Sequence, residues 1–162
     1  MKRAISILSI YLLFLATMPS FATSGAHFFH DTTASVDSTG ALVIHIDEAG
    51  VGQSEISYSV TVNLASATYA CINGGGNHPK AANKQTNSSS LGLPLGTFSP
   101  INGRVQVTVT LDGTPLSAGD FSCPSGQTLV LADVSYSGIT LTDTTNNVST
   151  SLKDTGATFF NI

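Results

Sequence analysis

Residues 56–64 read ISYSVTVNL, and this stretch alternates strictly between apolar and polar side chains. A period of two places the apolar side chains on one face of an extended strand and the polar side chains on the other. Residues 105–111, VQVTVTL, repeat the pattern. Both stretches therefore predict strands that bury one face, and they indicate a β-rich fold.

Shorter β-branched or alternating stretches extend this prediction along the chain, separated by turn-forming sequences such as Ser-Thr-Gly, Pro-Ser-Gly and Thr-Asn-Asn. The further predicted strands are residues 32–36, 41–46, 68–72, 128–136, 139–142, 148–152 and 157–160. No segment after residue 22 keeps apolar residues at helical spacing over three turns. One-sided strands bury their apolar faces by pairing two sheets, so we expect an all-β domain. An immunoglobulin-like or fibronectin-like β-sandwich of seven to nine strands with one disulfide is the predicted architecture.

The N-terminus has the three parts of a secretory signal peptide. Lys2 and Arg3 precede an apolar run at residues 4–18, and a small-residue cleavage site ends at Ala22. Cleavage there leaves one domain of 140 residues, 23–162, and changes the formal net charge from −4 to −6. We therefore expect a secreted protein, extracellular or periplasmic. Cleavage after Ala26 also satisfies the small-residue rule and would make His27 the first residue.

The composition argues against several classes of partner and activity. An acidic chain with six Lys and Arg residues in total has no basic footprint for nucleic acid. Beyond the signal peptide no apolar run reaches the roughly 18 residues of a membrane span. The sequence also lacks a G-x-S-x-G elbow, an S-x-x-K motif and the spaced acidic ligands of an EF-hand. We expect a non-enzymatic protein without a cofactor.

The two cysteines predict a disulfide, because an exported chain with only two Cys residues usually pairs them. Cys123 lies in the turn-rich stretch 117–127. The Cys71–Cys123 bridge is therefore expected to attach a long loop to the end of the predicted strand 68–72. Closing a loop of about fifty residues stabilises a domain by roughly 4 kcal/mol.

Residues 73–90 read NGGGNHPKAANKQTNSSS and are predicted to form a long loop. Three consecutive glycines permit positive φ angles and close approach of another backbone. Polar and basic side chains suited to contacting a ligand are Asn73, Asn77, His78, Lys80, Asn83 and Lys84. Three interpretations stay open: an ordered loop whose Asn side chains cap its own turns, a recognition loop for an unknown extracellular ligand or surface, and a disordered segment.

The sequence CINGGGNHP at residues 71–79, followed by Asn83 and Lys84, resembles the signature of a known family. That family consists of small exported bacterial β-sandwich proteins of uncharacterised function. Residues 139–146, ITLTDTTN, are similar to the family's penultimate strand and turn. The resemblance implies export, a single β-domain and a role at the cell surface, and it supplies no catalytic residue.

Histidines and carboxylates offer the remaining candidate chemistry. An N-terminal His27, joined by His78, would resemble the copper sites of oxidative polysaccharide-cleaving β-sandwich enzymes. His45 lies in an apolar run and is expected to be a half-buried strand residue. Acidic residues predicted near strand ends, for which we favour ordinary turn capping over calcium binding, are Asp47, Glu48, Asp112 and Asp143.

The sequence therefore supports three hypotheses about function. The preferred one is recognition or adhesion at the cell exterior through residues 73–84. The alternatives are a copper-binding protein or copper oxidative enzyme built on His27, and a purely structural surface protein.

Overall fold

The computed structural model describes residues 25–74, 83–111 and 116–162. Within these residues the chain forms nine β-strands in two antiparallel sheets and no helix, which confirms the all-β prediction. The strands are β1 (His27–Phe28), β2 (Thr33–Val36), β3 (Leu42–Ala49), β4 (Ile56–Asn73), β5 (Lys84–Phe98), β6 (Arg104–Leu111), β7 (Gln127–Asp143), β8 (Val148–Leu152) and β9 (Thr155–Thr158).

The smaller sheet is built around β3. β6 pairs with the whole length of β3, from Leu42 opposite Leu111 to Ala49 opposite Arg104. Both β1 and β2 pair with the other edge of β3, where β2 takes its first half and β1 its last two residues. The smaller sheet is therefore three strands wide.

The larger sheet is built around two long strands, β4 with 18 residues and β7 with 17. They pair from Tyr58 opposite Asp143 to Asn73 opposite Gln127. β5 extends the sheet beyond β4, and both β8 and β9 pair with the far edge of β7. The larger sheet is thus four strands wide, one more than the smaller sheet.

The two sheets share one apolar core, to which β3 contributes Ile44 and Ile46 and β4 contributes Val60 and Val62. These four side chains have 0–1% of their surface exposed. Buried tyrosine hydroxyls need hydrogen-bond acceptors, and two of them find these in the opposite sheet. The Tyr58 hydroxyl donates to Glu48 Oε2 of β3, and the Tyr136 hydroxyl donates to the carbonyl of Gly40 just before β3. Both donor–acceptor distances are 2.7 Å.

Several predicted strands are longer or continuous in the structure. Predicted strands 56–64 and 68–72 join into β4, and 128–136 and 139–142 join into β7, because bulges shift the register without ending the pairing. The expectation of one loop over residues 73–90 is wrong from Lys84 onward, where β5 begins. β5 is rich in Ser, Asn and Gly and lacks a long apolar alternation, yet the edge of β4 supplies its hydrogen-bond partners.

The Cys71–Cys123 disulfide is present, and the two cysteines are 52 positions apart in the sequence. Cys71 lies near the end of β4, and Cys123 lies in the irregular segment before β7. The bridge therefore attaches this long connection to the end of the larger sheet, as predicted.

Replacing both Cys71 and Cys123 by Ala should lower the free energy of unfolding by up to about 4 kcal/mol, because the long loop gains entropy in the unfolded chain. Urea denaturation of the variant and of the oxidised wild type measures this difference. Reduced wild type serves as the matched control and should resemble the variant. Equal stability of all three would contradict the structural role of the bridge.

Val134 and Ser135 are neighbours on β7 with opposite orientations, since Val134 is 1% exposed and Ser135 is exposed. Val134→Asp should prevent folding, because it buries a charge without a partner. Ser135→Asp should fold and melt within a few degrees of wild type. Circular dichroism and thermal melting distinguish the two variants, and equal loss of structure would contradict the two-faced sheet.

Candidate functional site

The outer face of the larger sheet carries rows of hydroxyl side chains that run across the strands. They occupy the positions that alternate with the core, and the pairing registers align them across four strands. The rows are Pro94, Ser59, Thr142 and Ser149; Gly92, Thr61, Thr140 and Ser151; Ser88, Ser66, Ser135 and Gly156; and Thr86, Thr68, Asp133 and Thr158. Twelve of these sixteen residues are Ser or Thr, so we refer to this surface as the hydroxyl face.

Several hydroxyls of this face hydrogen-bond to each other across neighbouring strands. The bonded pairs are Ser66 with Ser88 at 3.0 Å, Thr68 with Thr86 at 2.8 Å, and Thr142 with Ser149 at 2.9 Å. One such bond uses one donor and one acceptor, and each hydroxyl has one donor and two acceptor positions. Every pair therefore holds its side chains in place and still offers a donor and several acceptors to an outside molecule.

The hydroxyl face is almost free of charge. Asp133 is the only ionisable residue among its sixteen positions, and it accepts a hydrogen bond from Thr158 at 2.7 Å. Strand geometry spaces the side chains by about 4.8 Å across the sheet and by about 7 Å along each strand. The face is therefore a surface of hydrogen-bonding groups that carries one charge, and a bulge with the exposed Leu64 divides its four rows into two pairs.

The segment predicted as a recognition loop connects β4 to β5, which end and begin at Asn73 and Lys84. Asn73, Asn83 and Lys84 are exposed and lie at the disulfide end of the larger sheet. The Asn83 carbonyl accepts a hydrogen bond from the Cys71 amide at 3.0 Å, which ties the base of this segment together. The other three predicted contact residues, Asn77, His78 and Lys80, lie outside the described residues.

The residues predicted for copper binding are described only in part. His27 is exposed on β1, and its Nδ1 lies 2.9 Å from the carbonyl oxygen of Gly25. His78 lies outside the described residues, so the copper site stays a prediction. No group of three or more His, Cys, Asp or Glu side chains that could hold a metal ion occurs in the described ranges. His45 is half-buried on β3, as expected, and hydrogen-bonds to Thr108 at 3.0 Å.

Two of the carboxylates predicted near strand ends, Asp143 and Asp47, have hydrogen-bond partners in the fold. Asp143 caps the turn after β7, because its carboxylate accepts hydrogen bonds from the amides of Thr145 and Asn146 at 2.7 and 2.9 Å. Asp47 forms a two-pronged ion pair with Arg104, whose hydrogen bonds hold the pKa of Asp47 below its usual range. Turn capping is thereby confirmed for Asp143, and Asp112 lies outside the described residues.

Glu48 is a buried acid whose position the sequence reasoning missed. Its side chain has no exposed surface, Oε2 accepts the hydroxyl of Tyr58, and Oε1 has no hydrogen-bond partner among the described residues. Burial, together with the charge of Asp143, raises the pKa of Glu48 to about 7. The alternation of Ile44 and Ile46, extended by two residues, is the signal that would have placed Glu48 on the core face.

Comparison with known proteins identifies no similar protein: no family model, no curated protein and no solved structure matches the chain. The family resemblance of residues 71–79 therefore stays a prediction. Among the described residues there is no helix with the length and apolar character needed to cross a membrane.

Glu48→Gln should remove a pH dependence from the stability of the fold. Because the pKa of Glu48 rises from an ordinary 4.5 to about 7 on folding, its stabilising contribution is complete below pH 4.5 and is lost as the pH rises through 7. The loss amounts to at most about 3 kcal/mol. Urea denaturation at pH 5 and pH 8 should show a larger decrease for wild type than for the variant, whose amide cannot ionise. Parallel decreases in the two proteins would contradict this role of Glu48.

Proposed function

We propose that this chain is an exported, non-enzymatic β-sandwich protein of the immunoglobulin-like or fibronectin-like type that recognises or adheres to extracellular material. The observation that carries the proposal is the hydroxyl face. Ten of its sixteen positions are exposed and six are half-buried, it carries one charge, and the core lies on the opposite side of the same strands. Export is supported by the signal-like residues 1–22 and by a disulfide, which is compatible with an oxidising compartment.

The partner that fits the hydroxyl face is a neutral polysaccharide of the extracellular matrix. Such a polymer presents hydroxyl donors and acceptors at repeating intervals, as the rows around Thr61 and Thr140 do. A charged polymer gains little here, since the only charge among the sixteen positions is the carboxylate of Asp133. Each hydrogen bond between protein and polymer replaces bonds to water and contributes only about 1 kcal/mol net, so adhesion depends on many such bonds acting together.

The hydrogen-bonded pairs reduce the entropic cost of adhesion. A free hydroxyl side chain must be immobilised when it binds, which lowers affinity. Thr68 and Thr142 are already held by Thr86 and Ser149 on the neighbouring strands. The face is therefore organised before the polymer arrives, which supports recognition of an extended chain rather than a small molecule.

A second contact region in this proposal is the connection between β4 and β5. Asn73, Asn83 and Lys84 provide amide and ammonium donors at one end of the larger sheet. They lie beside the disulfide, which anchors this end of the domain. The resemblance of residues 71–79 to exported bacterial proteins supports a role at the cell surface, and it agrees with a contact through this end.

Removing hydroxyls from the hydroxyl face should weaken adhesion without unfolding the domain. We expect the Thr61→Val, Thr140→Val double variant to bind insoluble neutral glucans, cellulose among them, at least about tenfold more weakly, since two hydrogen bonds of about 1 kcal/mol each are lost. Valine keeps the branched shape of threonine, so the melting temperature should change little. A sedimentation binding assay with washed polymer measures the bound fraction.

The matched control is the Thr33→Val, Ser35→Ala double variant, which removes two exposed hydroxyls of β2 from the outer face of the smaller sheet. It should bind as wild type does. Equal weakening in both double variants, or a wild type that binds none of the neutral glucans, would contradict the proposal.

A further inference from the structure

The outer edge of β6 pairs with no strand among the residues that the structure describes. Among the described strands only β3 pairs with β6. The larger sheet has β5 as its outermost strand on this side of the molecule. The amide and carbonyl of Arg104 both bond to Ile101, on the side away from β3. Backbone groups at two-residue intervals point the same way, so those of Gln106, Thr108 and Thr110 face outward along this edge.

Apolar side chains next to the β6 edge are incompletely covered. Val107 and Val109 of β6 and Leu91 and Leu93 of β5 belong to the core layer but are only half-buried. A groove of about 400 Å³ opens beside Val107 and Phe98, at the start of β6 and the end of β5, and Ile101, which also lines it, is 78% exposed. The edge therefore exposes unpaired backbone and apolar surface together, as it would if one strand of the smaller sheet were missing.

β6 lacks the features that normally prevent edge strands from associating. Residues 105–110, VQVTVT, contain no charged residue, proline or glycine, and the pairing of β6 with β3 has no bulge. The outermost strand of the other sheet, β5, is interrupted by Gly92, Pro94 and Gly96 and by register shifts. Residues 105–110 of β6 therefore lack the features that protect an edge strand from association, whereas β5 has them.

We propose that β6 pairs with the β6 strand of a second copy of this chain, antiparallel and with a twofold axis at Thr108. In this register Thr108 faces Thr108 of the second copy, and Gln106 faces its Thr110. Each of these pairs can exchange two backbone hydrogen bonds, because all three residues direct their backbone groups outward. Val107 then lies opposite Val109 of the second copy, and both become covered.

A second copy is the occupant that matches this edge, because it brings an identical strand with no charge at residues 105–110. Each copy is acidic overall, so two copies can approach closely only where their surfaces are neutral. The contact residues at 105–110 are all uncharged. A single strand pair buries less than the ~1,600 Å² of a standard interface, so the dimer is reversible and depends on concentration.

Sedimentation velocity over a series of concentrations tests the proposal through the backbone. Wild type should shift from monomer to dimer as its concentration rises. Thr108→Pro removes an outward N–H group but none that bonds to β3, and proline is tolerated at such edge positions. It should raise the dimer dissociation constant at least about tenfold, whereas Thr108→Ala, which also loses the His45 hydrogen bond but keeps the N–H, should dimerise as wild type does.

A charge exchange at the same position tests the register, even if Thr108→Pro fails to fold. Thr108→Lys and Thr108→Glu should each be monomeric, because like charges meet at the twofold axis. An equimolar mixture of the two should form a heterodimer. A wild type that stays monomeric at millimolar concentration, a Thr108→Pro variant that folds and dimerises normally, or a mixture that does not associate would each overturn the proposal. The hydroxyl face takes no part in this contact, so these outcomes are separate from polysaccharide binding.

Discussion

The pairing of β4 with β7 determines which side chains face the core and which face solvent throughout the larger sheet. It sets Val60 opposite Leu141 on the inner side and Thr61 opposite Thr140 on the outer side. A slip of one residue would exchange these faces, so the buried valines would meet water and the hydroxyls would enter the core. The same register therefore defines both the core and the hydroxyl face, and a change of register would alter both.

The two sheets differ in the chemistry of their outer faces. The smaller sheet concentrates charge, because Arg104 pairs with Asp47 and its guanidinium lies 4.8 Å from the centre of the Phe29 ring. The hydroxyl of Thr32 donates a hydrogen bond to the Asp47 carbonyl and accepts one from the Asp47 amide. The ion pair thus joins β6 to β3, and the contacts of Phe29 and Thr32 attach the N-terminal segment to the same residues, whereas the rows of the larger sheet are linked by hydrogen bonds between hydroxyls.

The fold class and the disulfide could be predicted from sequence because both depend on local patterns, namely the alternation at residues 56–64 and a chain with only two cysteines. β5 could not, since its Ser- and Gly-rich sequence forms a strand only where β4 offers an edge. Glu48 was missed because the predicted strand ended at Ile46, three residues before the end of β3. The hydroxyl face was also invisible in the sequence, as Thr61 and Thr140 become neighbours only through pairing of distant segments.

The hydrogen bonds of the tyrosines make the optical signal of this protein a report on its architecture. The chain contains no tryptophan, so tyrosine dominates its near-ultraviolet absorbance. Tyr58, Tyr69 and Tyr136 each donate a 2.7 Å hydrogen bond to a distant segment, and burial raises the pKa of Tyr136 to about 12. A folded molecule therefore resists forming the phenolate of Tyr136 at pH values where a free tyrosine ionises. Ionisation of Tyr136 also breaks the hydrogen bond that it donates to the Gly40 carbonyl, so the state of this one side chain is coupled to a contact between β7 and the segment before β3.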